Sequence, residues 1–222
     1  MTFRKFLLLP ITVIIICSSA KAQADIATDS LLNQMCSTLS KNKGEPDSVR
    51  FFKAYMKHLE SYLMKMNETE QEKLFDFVYF RLQRNCKEFF DMVSKDVEQK
   101  GDWESLDKRP VSSLDKATCN DFNSRSKYYY REANGDTVKV VVEKGLWQEQ
   151  FIDGTYSKLN FRWVGDCEFE LEFISSNHHI RKNLSKKGDK YRYQLLQKVS
   201  NYYSASAVVV GMEDYSKFKI YY

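Results

Sequence analysis

Histidine is scarce in this chain, with three residues among 222: His58, His178 and His179. Adjacent residues of a strand point to opposite faces, so His178 and His179 could share a metal ion only from a loop, and the sequence offers no third ligand nearby. The chain also has no CxxC pair, no Gly-x-Ser-x-Gly motif and no glycine-rich phosphate loop. We therefore expect no metal site, no cofactor and no enzymatic activity.

An excess of one charge is missing as well. The full chain has a formal net charge of +4, which falls to +1 when the three basic residues of segment 1–22 are removed. Residues 23–120 contain 15 basic and 17 acidic side chains, and residues 121–222 contain 16 and 13. Nucleic-acid-binding proteins usually concentrate a strong positive charge on one face. The near balance in both halves argues against a nucleic-acid partner.

Long apolar runs are confined to the N-terminus, where residues 6–17 follow Arg4 and Lys5. This run is too short to span a membrane comfortably, because a spanning helix needs about 20 apolar residues. Ala20-Lys21-Ala22 supplies the small residues of a cleavage site, so segment 1–22 is interpreted as a secretory signal removed before Gln23. We expect a periplasmic or secreted protein whose mature chain is not stably inserted in a membrane.

The five cysteines divide into one signal residue and four others. Cys17 lies in the signal and follows Ile16, whereas a lipoprotein signal resembles a pattern with Gly, Ala or Ser at that place, so we expect no lipid on Cys17. An even number of remaining cysteines in an exported chain is typical of two disulfides, and four cysteines allow three pairings. We predict the pairing that keeps each bond within one structural part: Cys36–Cys86 and Cys119–Cys167.

Three amphipathic helices are predicted between residues 23 and 100. Their approximate ranges are 30–41, 46–66 and 69–93. Asp29 is the predicted N-cap of the first, and Pro46 suits the first turn of the second. Thr69 is the predicted N-cap of the third, with Glu72 reaching back to it. Apolar residues recur at helical spacing in all three, which predicts a helical core.

From Cys119 onward the polarity of the sequence alternates with a period of two. In residues 159–173 the odd positions are mostly apolar and the even ones mostly charged, with Gly165-Asp166 as a turn or bulge. The glutamates of the even face, with Glu170 at their centre, are expected to be solvated. Further turns are marked by Asn134-Gly135, Asp153-Gly154 and Lys187-Gly188-Asp189. The pattern predicts six to eight antiparallel strands in sequence order.

Two motifs in this half resemble a known group of proteins. They are Cys119-Asn120-Asp121-Phe122 and Trp163-Val164-Gly165-Asp166-Cys167-Glu168-Phe169, with Gln148-Glu149 between them. The pattern resembles an uncharacterised family of small exported proteins of Bacteroidota-type bacteria, over residues 119–222. Asn123-Ser124 stands where that family often has glycine. The resemblance implies a lipocalin-like sheet with the cysteines of the two motifs close together, and it implies no catalytic residues.

The expected fold class is α+β, with an N-terminal helical hairpin or three-helix part followed by a C-terminal antiparallel β-meander. We expect the meander to form an open or closed lipocalin-like barrel. The predicted division is a signal peptide at 1–22, a helical domain at 23–100, a linker at 101–118 and a β domain at 119–222.

Two functions are consistent with these features. We expect a non-catalytic exported envelope protein with an interaction or structural role, whose partner is another envelope protein. The alternative is a binding module that holds a small apolar ligand on the concave face of the β domain. The candidate ligand-binding residues are Phe161, Trp163, Phe169 and Leu171.

Export is directly testable. We expect the mature protein to begin near Gln23, because the signal-peptidase site ends at Ala22. N-terminal sequencing of protein recovered from the envelope or medium checks this. Full-length protein in the cytoplasm, or a lipid on Cys17, would contradict the prediction.

Overall fold

The computed structural model describes residues 17–95 and 101–222, with side chains from residue 28 onward. Residues 1–16, which hold most of the predicted secretory signal, lie outside the described residues. Within the described part of the chain, no helix has both the length and the hydrophobicity needed to cross a membrane. The described residues form a helical part followed by an antiparallel barrel, as predicted.

The helical part is a more interrupted version of the three predicted helices. Its elements are α1 Cys17–Lys41, α2 Asp47–Ala54, a π-helix Tyr55–Leu59, α3 Glu60–Leu63, α4 Glu68–Asn85 and α5 Lys87–Ser94. The second predicted helix corresponds to α2, the π-helix and α3, which follow one another without a gap. The third corresponds to α4 and α5, which are separated at Cys86, where the backbone is extended with φ −132° and ψ 102°.

Two of the predicted N-caps are wrong. The Asn67 side chain accepts a hydrogen bond from Glu70 N at 3.0 Å, and the Glu70 carboxylate accepts one from Asn67 N at 3.2 Å. This reciprocal pair satisfies two N–H groups of the first turn, so α4 begins two residues earlier than a cap at Thr69 would allow. Asp29 lies inside α1 and binds the Lys186 ammonium at 2.7 Å instead of capping a helix.

The helices enclose one apolar cluster. Its most deeply buried members are Leu32, Met35, Leu39, Ala54, Leu59, Val78, Leu82, Cys86 and Phe89. The disulfide Cys36–Cys86 is present as predicted, and its Cα atoms are 5.6 Å apart. It joins α1 to the break between α4 and α5, so the bond holds the interrupted helix against the core.

Eight antiparallel strands form a closed barrel in sequence order. The described residues contain nine strands, of which β2 to β9 form the barrel: β1 Glu104–Leu106, β2 Lys127–Arg131, β3 Thr137–Glu143, β4 Leu146–Gln150, β5 Tyr156–Gly165, β6 Glu168–Ser176, β7 Lys190–Val199, β8 Tyr202–Val209 and β9 Tyr215–Tyr221. The ring runs from β2 to β9 and closes where β9 pairs with β8 and, at Tyr129 and Tyr221, with β2. The short strand β1 lies outside the ring and pairs with the start of β9.

The β5–β6 hairpin confirms the predicted alternation, with one correction. The strands are joined at Asp166-Cys167, and Phe169 is fully buried inside the barrel. Glu170 lies on the outer face, as predicted, but its side chain is only 3 % exposed. The guanidinium groups of Arg162 and Arg192 lie 2.6 and 3.2 Å from its carboxylate. The expectation of a solvated glutamate is therefore wrong at this position, because two arginines take the place of water.

One end of the barrel is closed by α6, Lys116–Asn123. Phe122 of α6 is buried in the barrel, where its ring stacks on Tyr128 at 4.5 Å and on Phe169 at 5.6 Å between centroids. The predicted disulfide Cys119–Cys167 ties α6 to the β5–β6 turn, with Cα atoms 5.2 Å apart. The last residues of the segment expected to be a linker thus begin the helix that plugs the barrel.

Asp121 holds this plug helix from its other side. Its carboxylate accepts hydrogen bonds from the Lys198 ammonium at 2.7 Å and from the Tyr203 hydroxyl at 2.6 Å, and lies 3.4 Å from the Arg125 guanidinium. These contacts, of which the Lys198 hydrogen bond is the strongest, lower the pKa of the Asp121 carboxyl to about 2. The charged form of Asp121 is therefore part of the folded structure.

The helical part is joined to the barrel through the connection between β6 and β7. That connection contains α7, His179–Leu184, and a tight turn at Asp189. Arg81 of α4 is 2 % exposed, donates to the Leu184 carbonyl oxygen at 2.9 Å and forms an ion pair with the Asp189 carboxylate. The same carboxylate accepts a hydrogen bond from Lys186 N at 2.9 Å. A buried pair of this kind fixes the position of α7 relative to α4.

We expect Arg81→Met to lower the free energy of unfolding by about 3 kcal/mol, the low end of the cost of breaking a buried ion pair. The low end applies because Arg84 remains 3.4 Å from the Asp189 carboxylate. Lys87→Met is the matched control: Lys87 also reaches the barrel, at Asp214, but both side chains are largely exposed, and such pairs contribute about 0–1 kcal/mol. Urea denaturation monitored by circular dichroism measures both. If Lys87→Met lowered the free energy of unfolding as much as Arg81→Met does, the buried pair would not be the stronger link between the helical part and the barrel.

The low pKa of Asp121 predicts a pH dependence. Its folded pKa of about 2 lies below the roughly 3.9 of an unfolded aspartate, so its stabilising effect is present above the unfolded value and is lost as pH falls through the folded one. We expect the Tm difference between wild type and Asp121→Asn to be constant from about pH 7 to 5 and to shrink between about pH 4 and 2. Thermal melts at several pH values test this, with Asp166→Asn in the exposed β5–β6 turn as the control. A difference that does not change with pH would contradict it.

Candidate functional site

The barrel interior leaves a cavity at the end opposite α6. It has a volume of about 80 Å³, and we call it the inner cavity. Most of its wall is aromatic: Trp103, Tyr130, Trp147, Phe173, Tyr191, Tyr193 and Phe218. Arg181 and Leu184 of α7 cover it. A single water needs roughly 10–15 Å³ of such space, so the inner cavity has room for a small organic group.

A chain of polar contacts crosses the wall of the inner cavity. The Arg181 guanidinium binds the Glu132 carboxylate and lies 3.3 Å from the Tyr130 hydroxyl oxygen. The Tyr130 hydroxyl donates to Glu149 Oε1 at 3.0 Å, and Trp147 Nε1 donates to the same oxygen at 3.3 Å. Glu149 and Arg181 thus lie in the cavity wall, and Glu132, whose side chain is 27 % exposed, binds Arg181 from outside it.

Burial and neighbouring charges shift the pKa values of three side chains that line the inner cavity. The pKa values of the Tyr130 and Tyr193 hydroxyls are raised, first by burial and then by the negative charge of Glu149. The pKa of Arg181 is raised as well: burial is the largest single effect and opposes its charge, but the Glu132 carboxylate, together with smaller contributions from Tyr130, Glu149 and Tyr193, outweighs it. At neutral pH both tyrosines are therefore neutral and Arg181 is a cation.

A second hollow of about 310 Å³, the outer cleft, adjoins the inner cavity on the side of the helical part. The two share wall residues Trp103, Arg181, Leu184, Tyr191 and Tyr193. The remaining wall of the outer cleft comes from α4, α5 and the region from β8 to β9, and it includes Arg84, Lys87, Phe90, Ala207, Val209 and Met212. We call the inner cavity and the outer cleft together the mouth site.

Trp103 is placed in the mouth site by a close backbone approach at Gly101. Gly101 N donates to the Ala133 carbonyl oxygen at 3.2 Å, and a Cβ on Gly101 would lie 2.1 Å from the Glu132 carbonyl oxygen, so only glycine fits there. The Trp103 ring stacks on Phe218 with centroids 4.3 Å apart. Its Nε1 donates to the Arg131 carbonyl oxygen at 2.6 Å. The segment before β1 therefore builds one wall of the site.

The four residues predicted to bind a ligand all face the barrel interior, but at the plugged end. Phe169 and Leu171 are fully buried, and Phe161 and Trp163 pack against the same core. The Trp163 ring lies 6.0 Å from Phe122 of the plug helix. The inner cavity instead uses their strand neighbours, Leu159 and Phe173. Ligand binding by the original four stays a prediction.

The two adjacent histidines have separate structural partners. The His178 side chain accepts a hydrogen bond from Arg181 N at 3.4 Å, and its ring stacks on Phe151. The pKa of His178 is lowered by burial and then by the charge of Arg181. His179 Nε2 lies 3.3 Å from the Asp76 carboxylate of α4. Among the described residues, no group of three His, Cys, Asp or Glu side chains is arranged to hold a metal ion.

A wide groove of about 660 Å³ runs along the helical part beside α1 and the π-helix. All its lining residues are polar or charged: Asp29, Ser30, Asn33, Gln34, Ser37, Thr38, Lys41, Lys57 and His58. His58 Nε2 is already within 2.8 Å of Thr38 Oγ1. Because small-molecule sites are usually lined by apolar and aromatic groups, the mouth site is the stronger candidate despite its smaller volume.

Glu149 and Arg181 are the functional candidates that the sequence analysis did not identify. The sequence pattern could have identified Glu149, because it lies two residues after Trp147 in β4 and therefore places an acidic group on the inward face of that strand. No sequence pattern could have identified Arg181, because its role depends on the position of α7 over the barrel. Comparison of the chain with protein-family models, curated proteins and solved structures finds no match.

Proposed function

We propose that this protein is an exported, non-catalytic binding protein that holds a small, largely apolar ligand in the mouth site. The observation that supports this most is the largely aromatic inner cavity, which adjoins the outer cleft along five shared wall residues. The outer cleft alone, at about 310 Å³, falls at the lower end of the roughly 300–1,000 Å³ typical of small-molecule sites. The ligand would be a compact molecule rather than a long lipid.

The walls of the mouth site are held in place by contacts made within the protein. Trp103 is stacked on Phe218. The Tyr191 hydroxyl accepts a hydrogen bond from Arg84 Nε at 3.0 Å and contacts the Ser185 hydroxyl. A ligand entering such walls would order few side chains, which lowers the entropic cost of binding.

The two disulfides support the proposed periplasmic or secreted location. Cys36–Cys86 and Cys119–Cys167 are both formed, and bonds of this kind persist in oxidising compartments rather than in the cytosol. The export of the chain itself rests on the predicted signal at residues 1–22.

The protein-interaction role expected from the sequence is a second candidate, supported by a different surface. Val49, Phe52 and Met56 lie on one face of α2 and the π-helix, and Phe52 is 60 % exposed. Single exposed apolar residues are ordinary on soluble proteins, whereas a contiguous row is a feature of contact surfaces. This candidate does not require the mouth site.

Binding is tested with the neutral fluorophore N-phenyl-1-naphthylamine, whose nitrogen is uncharged at neutral pH. We expect a saturable rise in its fluorescence with the mature, disulfide-bonded protein. Ala207→Phe should weaken binding by about tenfold or more, equivalent to about 1.4 kcal/mol, because the added ring would occupy the outer cleft, which Ala207 lines.

Two controls separate this effect from general damage. Ala117→Phe makes the same change at an exposed position of α6, and Phe52→Ser removes the exposed ring of the helical surface. Both should bind the fluorophore as wild type does. Absence of saturable binding to wild type, or unchanged binding by Ala207→Phe, would contradict the proposed function.

A further inference from the structure

We propose that the ligand carries a protonated amine and that the Glu149 carboxylate, set among the aromatic rings of the inner cavity, is its counter-charge. This inference deepens the proposed function and rests on it. It names the chemical class of the ligand: a compact organic cation, with its ammonium group in the inner cavity and its apolar part toward the outer cleft.

The first support is the hydrogen bonding of Glu149. Its Oε1 atom accepts from the Tyr130 hydroxyl and the Trp147 indole, and both donors are neutral. No side chain of the described residues donates to Oε2. The carboxylate thus faces the inner cavity with one oxygen satisfied and the other available. An ammonium group has three donors and no acceptor, which suits that oxygen.

The second support is the local charge. The nearby cation, Arg181, forms its ion pair with Glu132. Among the described residues Glu149 makes no ion pair, so the cluster of Glu132, Arg181 and Glu149 carries one negative charge in excess. Glu149 is partly buried, and a bound cation would compensate the charge of a partly buried carboxylate that makes no ion pair of its own. The same charge would repel an anionic ligand.

The third support is the aromatic wall. Trp147 and Tyr130 flank Glu149, and Tyr191, Tyr193 and Phe173 line the same cavity. The negative face of an aromatic ring attracts a cation, most strongly for tryptophan and most strongly where water is displaced. Carboxylate and rings therefore favour the same ligand charge, in a volume of about 80 Å³ that matches an ammonium head rather than a whole ligand.

The test compares three probes that share a 2-phenylethyl group and differ in the polar group at its end, at pH 7 by isothermal titration calorimetry: 2-phenylethylamine, 2-phenylethanol and 3-phenylpropionate. We expect the amine to bind wild type about tenfold or more tightly than the alcohol, a difference of about 1.4 kcal/mol, and the acid to bind most weakly. Glu149→Gln should bring the amine to within about twofold of the alcohol while leaving the affinity for the alcohol unchanged.

Glu143→Gln on the exposed end of β3 is the matched control and should retain the preference for the amine. Equal affinity of wild type for amine and alcohol, tighter binding of the acid, or an amine preference that survives Glu149→Gln would overturn this inference. If one of these results were obtained while wild type still bound N-phenyl-1-naphthylamine, only the inference about the ammonium group would fail and the proposed function would stand. If wild type showed no saturable binding of that fluorophore, both the proposed function and this inference would be overturned.

Discussion

The buried ion pair between Arg81 and Asp189 is the contact on which the arrangement of the mouth site depends. It joins α4 to the connection between β6 and β7, and the same Asp189 carboxylate closes the turn that precedes β7. That connection also contains α7, which supplies Arg181 and Leu184 to the inner cavity. A contact with no atom in the site thus positions the side chains that cover it, and removing either partner would leave an uncompensated buried charge.

The two ends of the barrel are closed by different means, and the difference leaves room for a ligand at only one of them within the described structure. At the first end α6 inserts Phe122 into a close-packed set of rings. At the other end α7 and the segment around Trp103 lie across the opening and leave space beneath them. A barrel of eight strands encloses an interior just wide enough to be filled by side chains or to hold one small ligand. In this barrel, side chains fill the half next to α6, and the half next to α7 contains the cavity.

The alternation of apolar and polar residues predicted most of the fold. The site depends instead on how elements that are distant in the sequence pack against one another. The alternation in residues 159–173 predicted the β5–β6 hairpin because side-chain parity in a strand is a local property. The same parity could not show that Arg162 and Arg192 cover Glu170, since that depends on which strands are neighbours. For the same reason the sequence indicated the inward face of the barrel but not its open end. That end is defined by α7, a helix for which the sequence analysis made no prediction.

The order of the two disulfides along the chain has a consequence for how they form. Among the four bonded cysteines the first, Cys36, pairs with the second, Cys86, and the third, Cys119, pairs with the fourth, Cys167, so the two loops do not interlace. Thiols that become available from the N-terminus onward can therefore be oxidised two at a time, in order of appearance, into the native bonds. Interlaced bonds made in that manner would need thiol–disulfide exchange, which without catalysis takes minutes to hours. The helical part can thus acquire its covalent link before the barrel cysteines have appeared.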